Sequence, residues 1–295
     1  MIPGPFAYHK PRSLAEAVAL CAAHPDDGRA LAGGHSLVPM MKLRLATPDH
    51  LIDLGAIAEL RGVRRDGADW IIGATTTQAA LIEDAGLAAS VPILRETALQ
   101  IADPQVRACG TLGGNLANGD PGNDMPALMM CLGASYLLAG ANGTREVAAK
   151  DFYQGAYLTA LAPGEILTEI RIPSPPAGHG HAYEKLKRKI GDYATAAAAV
   201  MLTLAGGRIE TVTIGLTNVA PTPLLAADAA AALIGRAPEA AAFAEAARRA
   251  EAIAEPTEDG RGPADYRRKM AGVMVRRALA RAAGRAGGGA AGRAA

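Results

Sequence analysis

The alternation of hydrophobic and polar positions changes its period along this chain, and each change predicts a different element. Ser13, followed three residues on by Glu16, opens an apolar-periodic stretch that predicts a capped helix through about Ala23. Arg29 to Ala32 reads as a short strand, Val38 to Leu45 as a helical turn and Leu51 to Leu54 as another strand, which together make a small β-α-β unit. Trp70 to Ala74 predicts a strand, and Thr75-Thr76-Thr77-Gln78 starts a helix. Pro92 opens a helix that runs to about Ile101 and ends before Asp103-Pro104. A helix from about Met125 to Leu132 and strands at Ser135 to Leu138 and Glu165 to Ile172 complete this second unit. Pro173, Pro175 and Pro176 then break the pattern and place a domain join near residue 176.

Beyond the join, Ala182 to Lys189, Thr195 to Leu204 and Thr211 to Leu216 are strand-like runs. An alanine-rich helical region from Ala226 to Glu255 and a basic helix from about Pro263 to Ala283 follow. Gly284 to Ala295 lacks bulky side chains and reads as a flexible tail. The expected organisation is residues 1–58, 59–176 and 177–284 as three units, with 285–295 as the tail. The class is α+β: two small α/β subdomains, then a three-stranded antiparallel sheet backed by helices.

Composition narrows the chemistry. With 295 residues, half of them hydrophobic, the chain can bury a sizeable core. Thirty basic against twenty-nine acidic residues leave a net charge of +1, so no field for nucleic acid is expected. The start, Met1-Ile2-Pro3-Gly4-Pro5-Phe6, lacks the pattern of a secretory signal. The longest apolar stretch, Ala194 to Ala205, is much shorter than the roughly 20 residues that span a bilayer. A cytoplasmic protein is expected. Cys21, Cys109 and Cys131 read as small buried hydrophobes, and three thiols are too few for a four-cysteine iron-sulfur cluster.

Two glycine motifs carry the chemistry: Ala32-Gly33-Gly34-His35-Ser36 and Thr111-Leu112-Gly113-Gly114-Asn115. Each pairs glycines, which let backbone approach a ligand, with small residues that hydrogen-bond. A ligand gripped by both is long and doubly anionic, which fits the diphosphate of a dinucleotide held by backbone N–H groups. Neither motif has the Gly-x-Gly-x-x-Gly spacing of a Rossmann turn, and no phosphate-loop lysine motif is present. Asp53 lies inside an apolar strand, where a ribose-binding role is disfavoured. His179-Gly180-His181 reads as a hinge rather than a metal site. No metal ligands and no catalytic triad are expected in this chain.

These motifs, with Leu37-Val38-Pro39-Met40-Met41-Lys42-Leu43-Arg44 after the first and Asp120-Pro121-Gly122-Asn123-Asp124 after the second, resemble the FAD-binding medium subunits of molybdenum hydroxylases. The resemblance runs from about Ile2 to Ala283. Within that family, the block from Tyr183 to Tyr193 and the block Gly215-Leu216-Thr217-Asn218-Val219-Ala220 are most similar to medium chains that serve aerobic oxidation of carbon monoxide.

The resemblance implies an FAD-binding fold of the vanillyl-alcohol-oxidase type and FAD held without a covalent bond, His35 included. Its diphosphate would lie against the two glycine motifs. By motif position, Asp124 would lie near the adenosine, Leu167 near the flavin or adenine, Lys185 at the polar edge of the flavin and Tyr193 over one face of its ring. A positive charge at that edge would favour the anionic reduced flavin. The implied task is electron exit: two-iron, two-sulfur clusters on a small subunit reduce FAD, which passes electrons to an external acceptor, a quinone. CO oxidation would occur at a molybdenum-copper centre on a large subunit, in a dimer of heterotrimers that can associate with the inner membrane face. Three other readings stay open at this stage: service to an N-heterocycle or aldehyde hydroxylase, a self-sufficient flavin oxidoreductase, and a nonenzymatic nucleotide-binding protein.

Overall fold

A computed structural model describes residues 2–288. Three main sheets follow one another along the chain, each built from its own stretch of sequence, and a two-stranded ribbon is the fourth. In the first, β1 (Ala7–His9), β2 (Gly28–Leu31) and β3 (His50–Asp53) are parallel, in the order β1-β3-β2. Helix α1 (Leu14–Ala23) crosses between β1 and β2. Its start is set as the sequence predicts, because Ser13 Oγ accepts from the Glu16 N–H and so satisfies an otherwise unpaired amide. The strand β2 delivers the first glycine motif, and α2 (Leu37–Lys42) follows it.

The second sheet is five-stranded and antiparallel, in the order β4-β5-β10-β6-β7. Its strands are β4 (Val63–Asp66), β5 (Asp69–Gly73), β6 (Ser135–Gly140), β7 (Gly143–Ala148) and β10 (Ile166–Ile172). Between β5 and β6 runs a string of short helices: α3 (Gln78–Glu83), α4 (Ala85–Ser90), α5 (Pro92–Ala98), α6 (Pro104–Cys109), α7 (Leu112–Ala117) and α8 (Asp124–Cys131). After β7 come α9 (Ala149–Phe152) and a small ribbon of β8 (Tyr153–Gly155) and β9 (Leu158–Thr159). The outer strands β4 and β7 carry charged, exposed residues such as Arg64, Arg65 and Arg145, and they have no apolar alternation to announce them.

In the third unit the three expected strands pair, as β11 (Gly180–Leu186), β12 (Ala196–Ala205) and β13 (Arg208–Thr217). A two-residue strand, β14 (Leu224–Leu225), adds a fourth to the sheet. Strand β12 explains the alanine run. Ala197, Ala199 and Met201 join the core of the second unit, while Ala196, Ala198, Val200 and Leu202 join the core beneath the C-terminal helices. A strand buried on both faces under close neighbours needs small side chains. Gly215 on β13 serves the same contact, since a Cβ there would lie 2.4 Å from the carbonyl oxygen of Ala127 in α8.

The single helical stretch expected from Ala226 to Glu255 is two helices, α10 (Ala227–Ala231) and α11 (Ala240–Ala252), because the segment containing Gly235 at φ +76° and Pro238 interrupts it. The last helix, α12 (Ala264–Gly288), extends past Ala283, so the first residues of the expected flexible tail are helical; 289–295 lie outside the described residues. Cys21 and Cys131 are buried, and burial pushes both thiols up to about 11; Cys109, against expectation, is exposed. No helix among the described residues is long and apolar enough to cross a membrane.

Candidate functional site

A cavity of about 1210 Å³ lies where the three sheets meet, and it gathers nearly every residue singled out above. Ala32, Gly33, Gly34, His35 and Ser36 line it from the first unit. Thr111, Gly113, Gly114, Asn115, Asp124 and Leu167 line it from the second, and Lys185 and Tyr193 from the third. Leu112 is the exception: it is fully buried and packs into the core of the second unit.

The first motif is an open loop between β2 and α2, and Gly34 takes φ +73°, a conformation that disfavours a side chain. The N–H groups of Gly33, Gly34, His35 and Ser36 meet no hydrogen-bond acceptor among the described residues. Ser36 precedes α2, yet its hydroxyl makes no cap bond. A row of amides of this kind is a concave donor set suited to an anion.

The second motif is not a loop. It forms the start of α7, with Thr111 as N-cap, and Thr111 Oγ1 accepts from the Gly114 N–H at 3.1 Å. The Leu112 N–H donates to Thr76 O and the Gly113 N–H to Ala74 O, at 2.9 and 2.8 Å. The backbone donors of Leu112, Gly113, Gly114 and Asn115 are therefore committed within the protein. What it offers the cavity is the side chain of Asn115, whose buried Oδ1 has no partner, while Asn123 Nδ2 donates to the Asn115 carbonyl at 2.7 Å.

The glycines also have a task that their sequence does not announce. A Cβ at Gly33 would sit 2.4 Å from Cys109 O and 2.7 Å from Gly110 Cα, so the first loop lies directly on the backbone leading into the second motif. A Cβ at Gly113 would meet Ala74 Cβ at 2.5 Å. One at Gly114 would lie 3.7 Å from the Ala32 side chain, which measures how nearly the two motifs touch.

Asp124 is the first residue of α8, and Asn123 is its N-cap. The Asp124 carboxylate is almost fully buried. Lys185 Nζ donates to its Oδ2 at 2.7 Å and Tyr183 Oη donates to its Oδ1 at 2.5 Å. Burial and the Asp124 charge hold the Tyr183 hydroxyl well above its ordinary pKa. Lys185 is only 1% exposed, so it is not part of a solvated basic face with its neighbours Lys187 to Lys189. It reaches inward as half of an ion pair that joins the second unit to the third.

Tyr193 lies at the mouth, partly exposed, its ring against Gly122, where a Cβ would be 2.7 Å from Cδ1. Its hydroxyl donates to Asp120 Oδ2 at 3.1 Å, and burial together with the Asp120 charge raises its pKa. Leu167 is buried on β10 beside an irregularity in the pairing with β6. Sequence reasoning missed Gln78, a buried amide on the cavity wall with neither side-chain atom paired, and Tyr157, another aromatic there, with φ +59°. A polar residue at a helix start gives no sign from sequence of ending in a cavity wall.

A cavity between sheets, with unpaired amides at one wall, orphaned side-chain amides at another and a tyrosine at its mouth, has the form of a dinucleotide site in an α+β flavoprotein. The unpaired N–H groups of the first loop and the unpartnered Asn115 Oδ1 and Gln78 amide fit the polar parts of FAD. Residues 4–175 match the model of the FAD binding domain in molybdopterin dehydrogenase, and residues 181–282 match the CO dehydrogenase flavoprotein C-terminal domain. The chain belongs to this family of FAD-binding oxidoreductase subunits. It is 64% identical to the carbon monoxide dehydrogenase medium chain of Afipia carboxidovorans over 96% of this chain and 98% of that one. It is 51% identical to the corresponding chain of Hydrogenophaga pseudoflava, over 95% and 97%. A solved structure of cyanide-inactivated Cu,Mo-CO dehydrogenase contains a chain that superimposes with a TM-score of 0.96 at 64% identity, covering 97% of this chain and 100% of that one.

Proposed function

We propose that this chain is the electron-exit subunit of a CO-oxidising molybdenum-copper hydroxylase. FAD, when bound, supplies a group that takes up electrons singly and gives them up in pairs. The observation that carries the reading is the convergence of thirteen motif residues from three sheets on one cavity. The first loop, Ala32 to Ser36, holds the diphosphate through its unpaired amides. Gly113 and Gly114 keep the opposite wall low, and Asn115 supplies a hydrogen-bonding side chain. Lys185 is held rigid by Asp124 and orients the ring's polar edge. Tyr193 covers the ring and excludes water from the mouth, and Leu167 gives an apolar wall. The small iron-sulfur subunit would deliver electrons, the large subunit would oxidise CO, and a quinone would accept the electrons in a dimer of heterotrimers. Units 1–58, 59–176 and 177–284 are the divisions that this reading uses. The substrate assignment is supported by the names of the two relatives above.

The test is isolation of the native complex followed by flavin analysis and assay with CO and an artificial acceptor. Acid-released FAD at one per chain, with CO-dependent acceptor reduction that disappears when the chain is stripped of flavin, is the expected result. A complex inert to CO but active on an N-heterocycle or aldehyde would overturn the substrate. Flavin that stays with the acid precipitate would overturn noncovalent binding.

A further inference from the structure

Three imidazoles meet on one face of the first sheet. His9 ends β1, His50 begins β3, and His24 follows the last turn of α1. Parallel pairing sets His9 opposite Ile52, two residues on from His50, so both histidines lie on the same face of the sheet. His9 Nε2 and His50 Nδ1 are 2.9 Å apart. The His24 and His50 rings lie face to face with centroids 3.5 Å apart. One ring nitrogen from each of the three lies within 4.8 Å of those of the other two. A carboxylate lies beside the group rather than in it: Asp27 Oδ1 is 3.5 Å from His24 Nδ1, and its Oδ2 is 3.8 Å from His50 Nε2, the ring nitrogen turned away from His9.

Three imidazoles and a carboxylate are the nitrogen and oxygen donors that zinc-class divalent cations select. Two ligands of a tetrahedral zinc ion stand about 3.4 Å apart, given bonds of about 2.0–2.1 Å. The histidine nitrogens, 2.9 Å apart for His9 and His50 and all within 4.8 Å, bracket that distance, and the half-buried rings, now stacked, must rotate to aim their lone pairs at one ion. We propose that His9, His24, His50 and Asp27 form a zinc-class metal site. The site was not foreseen from sequence because its ligands come from two strands and a helix end, with none of the short spacings of a metal motif.

With Asp27 drawn in beside the three imidazoles, protein fills all four positions and the site is structural rather than catalytic. Its place gives it a purpose. Asp27 immediately precedes β2, and its carbonyl accepts from the N–H groups of Asp49 and His50. A cation there ties β1, β3 and the end of α1 to the start of the strand that delivers the first glycine loop.

The test is a titration of chelator-treated full-length chain with Zn²⁺ against a chromophoric chelator, repeated with Co²⁺ to read its visible absorption. One Zn²⁺ per chain, an intense tetrahedral Co²⁺ spectrum and a melting temperature raised by Zn²⁺ are expected. Asp27→Asn and His24→Gln should each weaken binding at least about tenfold. The His179→Ala/His181→Ala chain should bind as tightly as the parent. Circular dichroism and FAD content confirm that each variant is folded. Zn²⁺ affinity equal in the parent and in His24→Gln, or loss of binding in the His179→Ala/His181→Ala chain, would overturn the site.

Discussion

The two glycine motifs share a composition and do opposite things with their backbones. In the first, the amides of Gly33 to Ser36 point to no protein acceptor, and the loop is shaped for something else to occupy. In the second, the amides of Leu112, Gly113 and Gly114 are bonded to Thr76, Ala74 and Thr111, and the motif is a capped helix start fastened to the segment that follows β5. Paired glycines thus mark two physical needs: donors left open to a ligand, and backbone packed too closely for a Cβ. The first motif should matter most to ligand affinity and the second most to folding.

The largest expected effect tests the anchored side. Lys185→Met leaves the Asp124 carboxylate buried without its countercharge and should lower the stability of the flavin-free chain by about 3–5 kcal/mol, measured by denaturant unfolding. Pairing it with Asp124→Asn should restore part of the loss. If Lys185→Met unfolds like the parent, the pair does not anchor the third unit.

Gly113→Ala comes next. Its Cβ would collide with Ala74 and should cost about 1–3 kcal/mol, read in the same unfolding experiment. Gly33 is the one position of the first loop expected to behave similarly, because it rests on Cys109 and Gly110. Gly33→Val should therefore lose flavin and stability together, whereas a purely ligand-facing glycine would lose flavin alone.

Thr111→Ala removes the cap of α7 and should cost about 1 kcal/mol. The smallest change in stability sharpens the contrast most. Ser36→Ala should alter unfolding by less than about 0.5 kcal/mol, since the hydroxyl makes no cap bond, yet weaken FAD binding measured by fluorescence quenching. A Ser36 variant that loses stability but keeps flavin would erase the distinction between the motifs.

Local signals carried much of this structure. Ser13 capped its helix as its spacing with Glu16 implies, and the first motif lies at the strand-to-helix junction that the β-α-β pattern predicts. The second motif was misread because two glycines outweigh a threonine cap in any local reading, and the carbonyls that hold it come from Ala74 and Thr76, far back in the chain. Lys185 was picked out by motif position, but its burial and its pairing were not legible, because its neighbours Lys187, Arg188 and Lys189 are a surface pattern and its partner Asp124 is sixty-one positions away. The edge strands β4 and β7 gave no alternation, since half of what a sheet edge faces is water. The cluster of three histidines has no sequence signature at all.

One consequence of the Asp124–Lys185 pair concerns how a large cofactor gets in. The pair bridges α8 and β11 and is shut away from solvent. Swinging the third unit aside to admit FAD would tear an ammonium from a carboxylate in the interior, at the full cost of two stranded charges. A cofactor entering with the walls closed would pass the ring of Tyr193, which leans on Gly122, is held by its hydroxyl and backbone N–H, and has the Arg261 guanidinium 5.6 Å from its centre.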